Sequence, residues 1–267
     1  MPLVVNASTE VVHRYVLELR FDFGHVYWDR AGRIAKEILG LEGWDFEQID
    51  INHCRLSRRD LNIAFNFGPG KLDLSQTQSS DIAELMPTGQ FGSLAEQLAE
   101  IVVRHLELDS FPRIGFRTWH LYPTRDRQES CAILQDLELF RPSDSAMRVL
   151  GDVSEMSYRI VVERQEHMVR IALAPFEQAI DLPPSILRAA KTKARDLRGD
   201  KHARRALVDK LKAERMIQNY PQFGVLLDLD AYIEDPPYPD NLSASDFLAN
   251  AVADFGALKT IVLQKTK

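Results

Sequence analysis

Alternation of side chains along residues 15–23 limits this chain more than any other feature. Tyr15, Leu17, Leu19, Phe21 and Phe23 are apolar, and Glu18, Arg20 and Asp22 stand between them. Side chains two apart on an extended backbone point the same way, so this pattern builds a strand with one face on a core and one toward water. Residues 61–67 repeat it, with Leu61, Ile63, Phe65 and Phe67 alternating with Asn62, Ala64 and Asn66. One-sided strands of this kind belong to antiparallel sheets covered on a single face.

The remaining elements follow from spacing and punctuation. Ile34, Ile38 and Leu41 fall at helical intervals within 29–41, where Gly40 and Gly43 bracket the end. Residues 46–56 read as a strand, joined to 61–67 by the hairpin link Ser57-Arg58-Arg59-Asp60. The Gly-, Pro-, Ser- and Gln-rich stretch 68–92 reads as a long loop holding at most a short helix at 81–86, with Gly68-Pro69-Gly70 as a turn. Ser93-Leu94-Ala95-Glu96 has the form of a capping box and predicts a helix to about Leu108, ended by Phe111-Pro112. Ile114, Phe116 and Tyr122 share one parity of a strand at 113–122. The first half thus reads β-α-β-β-α-β, the ferredoxin-like order, with two helices on one face of an antiparallel sheet.

The second half reads as a looser copy. It has a helix at 128–139, a hairpin of 156–164 with 168–174, basic helices over 183–217, a strand at 223–233 and a terminal helix at 244–264 capped by Ser243 or Ser245. The expected fold is therefore α+β, with two ferredoxin-like halves at 1–125 and 126–267, each an antiparallel sheet with helices on one face.

In this order the chain resembles a sporadically distributed family of uncharacterised bacterial proteins of about this length. The likeness rests on Leu17-Glu18-Leu19-Arg20-Phe21, Phe65-Asn66-Phe67, Arg113-Ile114-Gly115-Phe116-Arg117 and Leu227-Asp228-Leu229-Asp230-Ala231-Tyr232. The basic helical segment and Trp119-His120 depart from the family pattern. The resemblance supports the fold and implies an accessory or defence-type role, without an activity to carry over.

Composition excludes several classes. The 267 residues carry a net charge of -6 and are 45% hydrophobic, which fits a globular protein and not a disordered chain. Two cysteines, Cys54 and Cys131, make neither a disulfide framework nor a four-cysteine zinc site. No signal peptide and no apolar run long enough to span a membrane is visible, so a cytoplasmic protein with reduced thiols is expected.

Charge is unevenly placed. Between Arg188 and Arg215, eleven basic residues face four acidic ones, so this segment is +7 and the rest of the chain -13. Such segregation gives a local positive potential that fits nucleic-acid phosphates or an acidic partner, and otherwise a solvated helix face. The candidate anion-binding residues are Arg195, Arg198, Lys201, Arg204, Arg205 and Lys212. No base-stacking platform is visible in the first half, because the aromatics of 15–23 and 61–67 fall on the apolar parity.

Catalytic motifs are scarce. Asp228 and Asp230 share a strand face and would suit Mg²⁺ in a nuclease, although a polar outer face is the ordinary reading. The histidines have no metal-ligand spacing, and Trp119-His120 is the pair best placed for acid–base work, against the commoner structural role. Phosphate-loop and serine-hydrolase motifs are missing. No cofactor, metal or catalytic residue is expected. The reading is a non-enzymatic protein acting by protein–protein binding or self-association within an assembly. Nucleic-acid binding through the basic segment is the alternative, and a metal-dependent nuclease comes second.

Overall fold

The computed structural model describes residues 10–22, 26–78, 84–137, 157–164, 167–178, 221–235 and 243–264. In chain order the elements are β1 (Val11–Arg20), α1 (Tyr27–Leu39), β2 (Asp45–Ile49), β3 (Cys54–Arg58), β4 (Ile63–Phe67), β5 (Lys71–Thr77), α2 (Thr88–Leu106), β6 (Arg113–Thr124), α3 (Arg127–Asp136), β7 (Tyr158–Glu163), β8 (Met168–Glu177), β9 (Phe223–Glu234) and α4 (Ala244–Gln264). The class is α+β.

The strands form one antiparallel sheet ordered β2-β3-β4-β5-β1-β6-β9-β8-β7. The expectation of two ferredoxin-like halves left open whether they share a sheet; the strands form a single nine-stranded one, larger than a ferredoxin-like unit, because β6 pairs with β9 as well as with β1. The first half supplies the run β4-β5-β1-β6. The second half does not repeat it: β9 lies between β6 and β8. The sheet continues past residue 125, and so does the hydrophobic core.

Alternation decides which face meets that core. Leu17, Leu19, Ile63, Phe65, Phe67, Ile114, Phe116, Val169, Leu227 and Leu229 are buried in one cluster with Ile34 and Ile38 of α1, Phe91, Leu98 and Val102 of α2, Leu134 of α3 and Leu248 and Phe255 of α4. Ridges of α4 rest on α2, where Ser245 Oγ donates to Glu96 Oε2 at 2.6 Å. The opposite parity carries charged and polar side chains on a face that none of these helices covers.

Three local expectations need correction. Residues 46–56 are two strands and not one, because the Asp50 carboxylate accepts the N–H groups of Asn52 (2.7 Å) and His53 (3.0 Å) and folds the chain back. The long loop 68–92 contains β5 and the start of α2. Leu72 and Leu74 of β5 face the core, and the third inward residue is Gln76, 1% exposed. Its amide donates to the Leu61 carbonyl (3.0 Å) and accepts the Met86 N–H (3.0 Å), so a polar residue is stable there. Ser93 is not a cap: α2 begins at Thr88 after Pro87, and Ser93 Oγ donates to the Gly89 carbonyl within the helix. The expected capping geometry occurs at Asp126, whose Oδ1 accepts the Glu129 N–H at 2.8 Å. Ser243 does cap α4, accepting the Asp246 N–H at 3.1 Å.

Candidate anion-binding face

The uncovered face of β5, β1, β6, β9 and β8 holds a depression of about 330 Å³. Six cations line it (Arg14, Arg20, Lys71, Arg113, Arg117 and Arg170), with Glu18, Asp73 and Asp230 as the acids and Val16, Gly115 and Trp119 completing the wall. Period two places them: Arg14, Val16, Glu18 and Arg20 on β1, and Arg113, Gly115, Arg117 and Trp119 on β6, are alternate residues of two paired strands. Gly115 lies opposite Tyr232, and the Arg113 guanidinium stacks over that ring at 4.5 Å.

A β-bulge aims the first of these residues. The pairing of β1 with β6 shifts between Val12 and Arg14, leaving His13 as the extra residue. His13 and Arg14 both then meet Trp119: the imidazole stacks on the indole with centroids 5.8 Å apart, and the Arg14 guanidinium carbon lies 5.2 Å from the ring centroid. Arg117 flanks the same indole at 5.2 Å. Burial, reinforced by Arg14, pushes the His13 imidazole down to about 4.

Most charges on this face are already paired. Arg117 grips Asp228 with two hydrogen bonds, 2.7 and 2.5 Å. Arg113 and Arg170 converge on Asp230 at 3.5 and 3.4 Å. Burial pushes the Asp230 carboxyl above the usual carboxylate range, against the pull of Arg113, Arg170 and Arg117. Glu18 is held by Arg20 and Lys71. What is left over is a set of donors. Arg14 Nε, Arg113 Nε and Trp119 Nε1 are buried N–H groups that meet no acceptor. All three belong to residues that line the depression, but the atoms themselves are closed to solvent.

Asp228 and Asp230 do share a strand face, but each faces arginine and not a third carboxylate or imidazole. Among the described residues no group of three metal-ligating side chains comes together. Trp119 and His120 point to opposite faces. His120, 6% exposed, lies in the core, with Nδ1 2.5 Å from Glu10 Oε1 and Nε2 2.8 Å from Thr118 Oγ1. Lys259 Nζ donates to the same Glu10 oxygen at 2.6 Å. Burial opposes the Glu10 charge, yet the His120 and Lys259 hydrogen bonds win and hold its carboxyl below the usual range. Glu10 is therefore an acceptor, His120 Nδ1 carries the proton, and Thr118 donates to Nε2. The order imitates a nucleophile–base–acid relay, but Thr118 is 2% exposed, so no substrate reaches its hydroxyl. The chain of bonds ties α4 to β1 and β6. Cys54 is equally inert: burial pushes its thiol up to about 11.

Arg195, Arg198, Lys201, Arg204, Arg205 and Lys212 all lie outside the described residues, as does the whole basic segment. The open-face arginines were not anticipated. Their signal was present in β6: with Ile114 and Phe116 inward, Arg113, Arg117 and Trp119 had to face outward.

No family model matches the chain, and no curated protein matches it either. Among the described residues no helix is long and apolar enough to cross a membrane.

Proposed function

We propose that this chain acts by binding, and that its ligand is single-stranded nucleic acid held on the open face of the sheet. The observation that carries the reading is the depression lined by Arg14, Arg20, Lys71, Arg113, Arg117 and Arg170 with the Trp119 indole among them. Phosphate oxygens accept from arginine forks, and an indole beside them gives a base a planar surface. The depression has room for about one nucleotide, which favours a single strand over a duplex. The interleaved carboxylates of Glu18, Asp73 and Asp230 temper the positive field and can accept from base amino groups.

The path of the first half supports a ferredoxin-like reading: β1, α1, β4, β5, α2 and β6 with neighbours β4-β5-β1-β6, and β2–β3 as an added hairpin. Domains of that kind commonly present nucleic acid with the uncovered sheet face. The accessory or defence-type role in an assembly rests on the family resemblance alone.

The test is fluorescence anisotropy with a labelled single-stranded oligonucleotide at low and high salt. Binding should weaken with salt, since each neutralised phosphate releases counterions. Arg14→Ala and Trp119→Ala should each weaken it by about tenfold, on the order of 1.4 kcal/mol. Absence of binding at low salt, or binding that both variants leave unchanged while charge reversal at Arg198, Lys201, Arg204 and Arg205 abolishes it, overturns the open-face reading.

A further inference from the structure

The two ends of the sheet are unlike. β2, at one end, is interrupted: its pairing with β3 shifts between Phe46 and Gln48, and Asp45 and Glu47 project from it. Bulges and charges of this sort keep an edge from pairing with another chain. β7, at the other end, is regular. Its register with β8 is unbroken from Tyr158↔Leu173 to Glu163↔Met168. No described strand lies on its outer side. Ile160 and Val161 are nonetheless 42% and 49% exposed, and Arg159 and Glu163 are exposed beside them.

The sequence of β7 is complementary to itself. We propose that the β7 edge pairs antiparallel with β7 of a second copy, about a twofold axis normal to the sheet and centred on Val161. Such an axis keeps the two faces of the sheet apart, so directly opposed residues have numbers of equal parity. On the open face Arg159 of each copy stands opposite Glu163 of the other, and Val161 opposes Val161. On the helix face Ile160 opposes Val162. Opposite charges and β-branched side chains are favoured partners in directly opposed positions. A slip of the register by two residues sets Arg159 against Val161 and Glu163 against Ser157, which loses both ion pairs. The corresponding arrangement of β2 about Glu47 opposes two carboxylates. The charge pattern thus selects β7, a second copy and one register.

Sedimentation and light scattering at high micromolar concentration provide the measurement. The wild-type chain should have twice the 30.5 kDa monomer mass. V161E, which places two carboxylates on the axis, and R159E, which opposes two acids at each end, should each weaken dimerisation by about tenfold or more. R159E/E163R should restore it. All these positions are exposed, and unchanged circular dichroism and melting will show that the variants are folded. V161C gives a second readout: opposed residues in antiparallel strands have Cα atoms about 4.5–5.5 Å apart, within disulfide reach. Oxidised V161C should run as a covalent dimer where the wild type does not. A monomeric wild type, a dimer that survives V161E, failure of R159E/E163R to recover, or no crosslink through V161C each overturns the proposal.

Discussion

One strand, β6, separates two different chemistries. On its covered side Ile114, Phe116, Thr118, His120 and Tyr122 meet helices. There Phe116 is fully buried against Tyr15, Phe91 and Phe255, and the polar pair Thr118–His120 is closed off by Glu10 and Lys259. The Tyr122 hydroxyl is the exception, buried without a partner. On its open side Arg113, Arg117 and Trp119 share guanidinium, carboxylate and indole contacts with β1 and β9, and leave donors over. Adjacent residues therefore answer to different demands. The covered face is packed against helices, and the open face keeps its charged groups toward the depression.

The sharpest way to break this contrast is to truncate neighbouring residues. Phe116→Ala should cost about 3–5 kcal/mol of stability in urea denaturation, because it leaves a cavity among aromatic rings. A loss under about 1 kcal/mol would mean that the covered face is not a tight core. Acid gives a smaller effect. His13 and His120 are both held neutral by burial, and Glu10 is held ionised. The unfolded histidines take up protons below about pH 6.5 while the folded ones resist, so stability should fall as pH drops from there toward the folded value near 4. Glu10 acts in the same direction, since its contribution is present above the ordinary carboxyl value and is lost as pH falls through its lowered one. Urea midpoints between about pH 7 and pH 4.5 should record a loss on the order of 2 kcal/mol, discounted for solvent reaching His13, and His13→Gln should reduce it. A flat profile would contradict the burial of these rings. The smallest effect belongs to Arg117→Ala, one residue from Phe116. The Arg117 side of its ion pair with Asp228 is half exposed, so stability should change by about 1 kcal/mol or less.

Much of this architecture was readable where apolar residues keep period two. β1, β4, β6 and β9 declare themselves through Leu17, Phe65, Phe116 and Leu227, all fully buried. The pattern failed where a polar side chain takes an inward position or where alternation breaks. Gln76 hid β5 because nothing local reveals that Leu61 and Met86 will satisfy its amide. The bulge at His13 cut the alternation short, so His13 and Arg14 fell outside the apparent strand although β1 begins at Val11. The arginine-lined face was harder still, since its residues come from five strands and meet only through the pairings β5–β1, β1–β6, β6–β9 and β9–β8. The single sheet was hidden for the same reason. Local order suggests two units, and only the long-range match of Arg113–Thr124 to Phe223–Glu234 joins them.

The position of β9 also has a consequence for synthesis on the ribosome. β9 sits between β6 and β8, so the β7–β8 hairpin has no seat on the sheet until residue 234 has been made. During that interval, over a hundred residues of translation, the edge of β6 lacks the described strand that pairs with it. The nascent chain thus carries an open margin until β9 is made, and α4, which follows β9 in sequence, can reach α2 only after that.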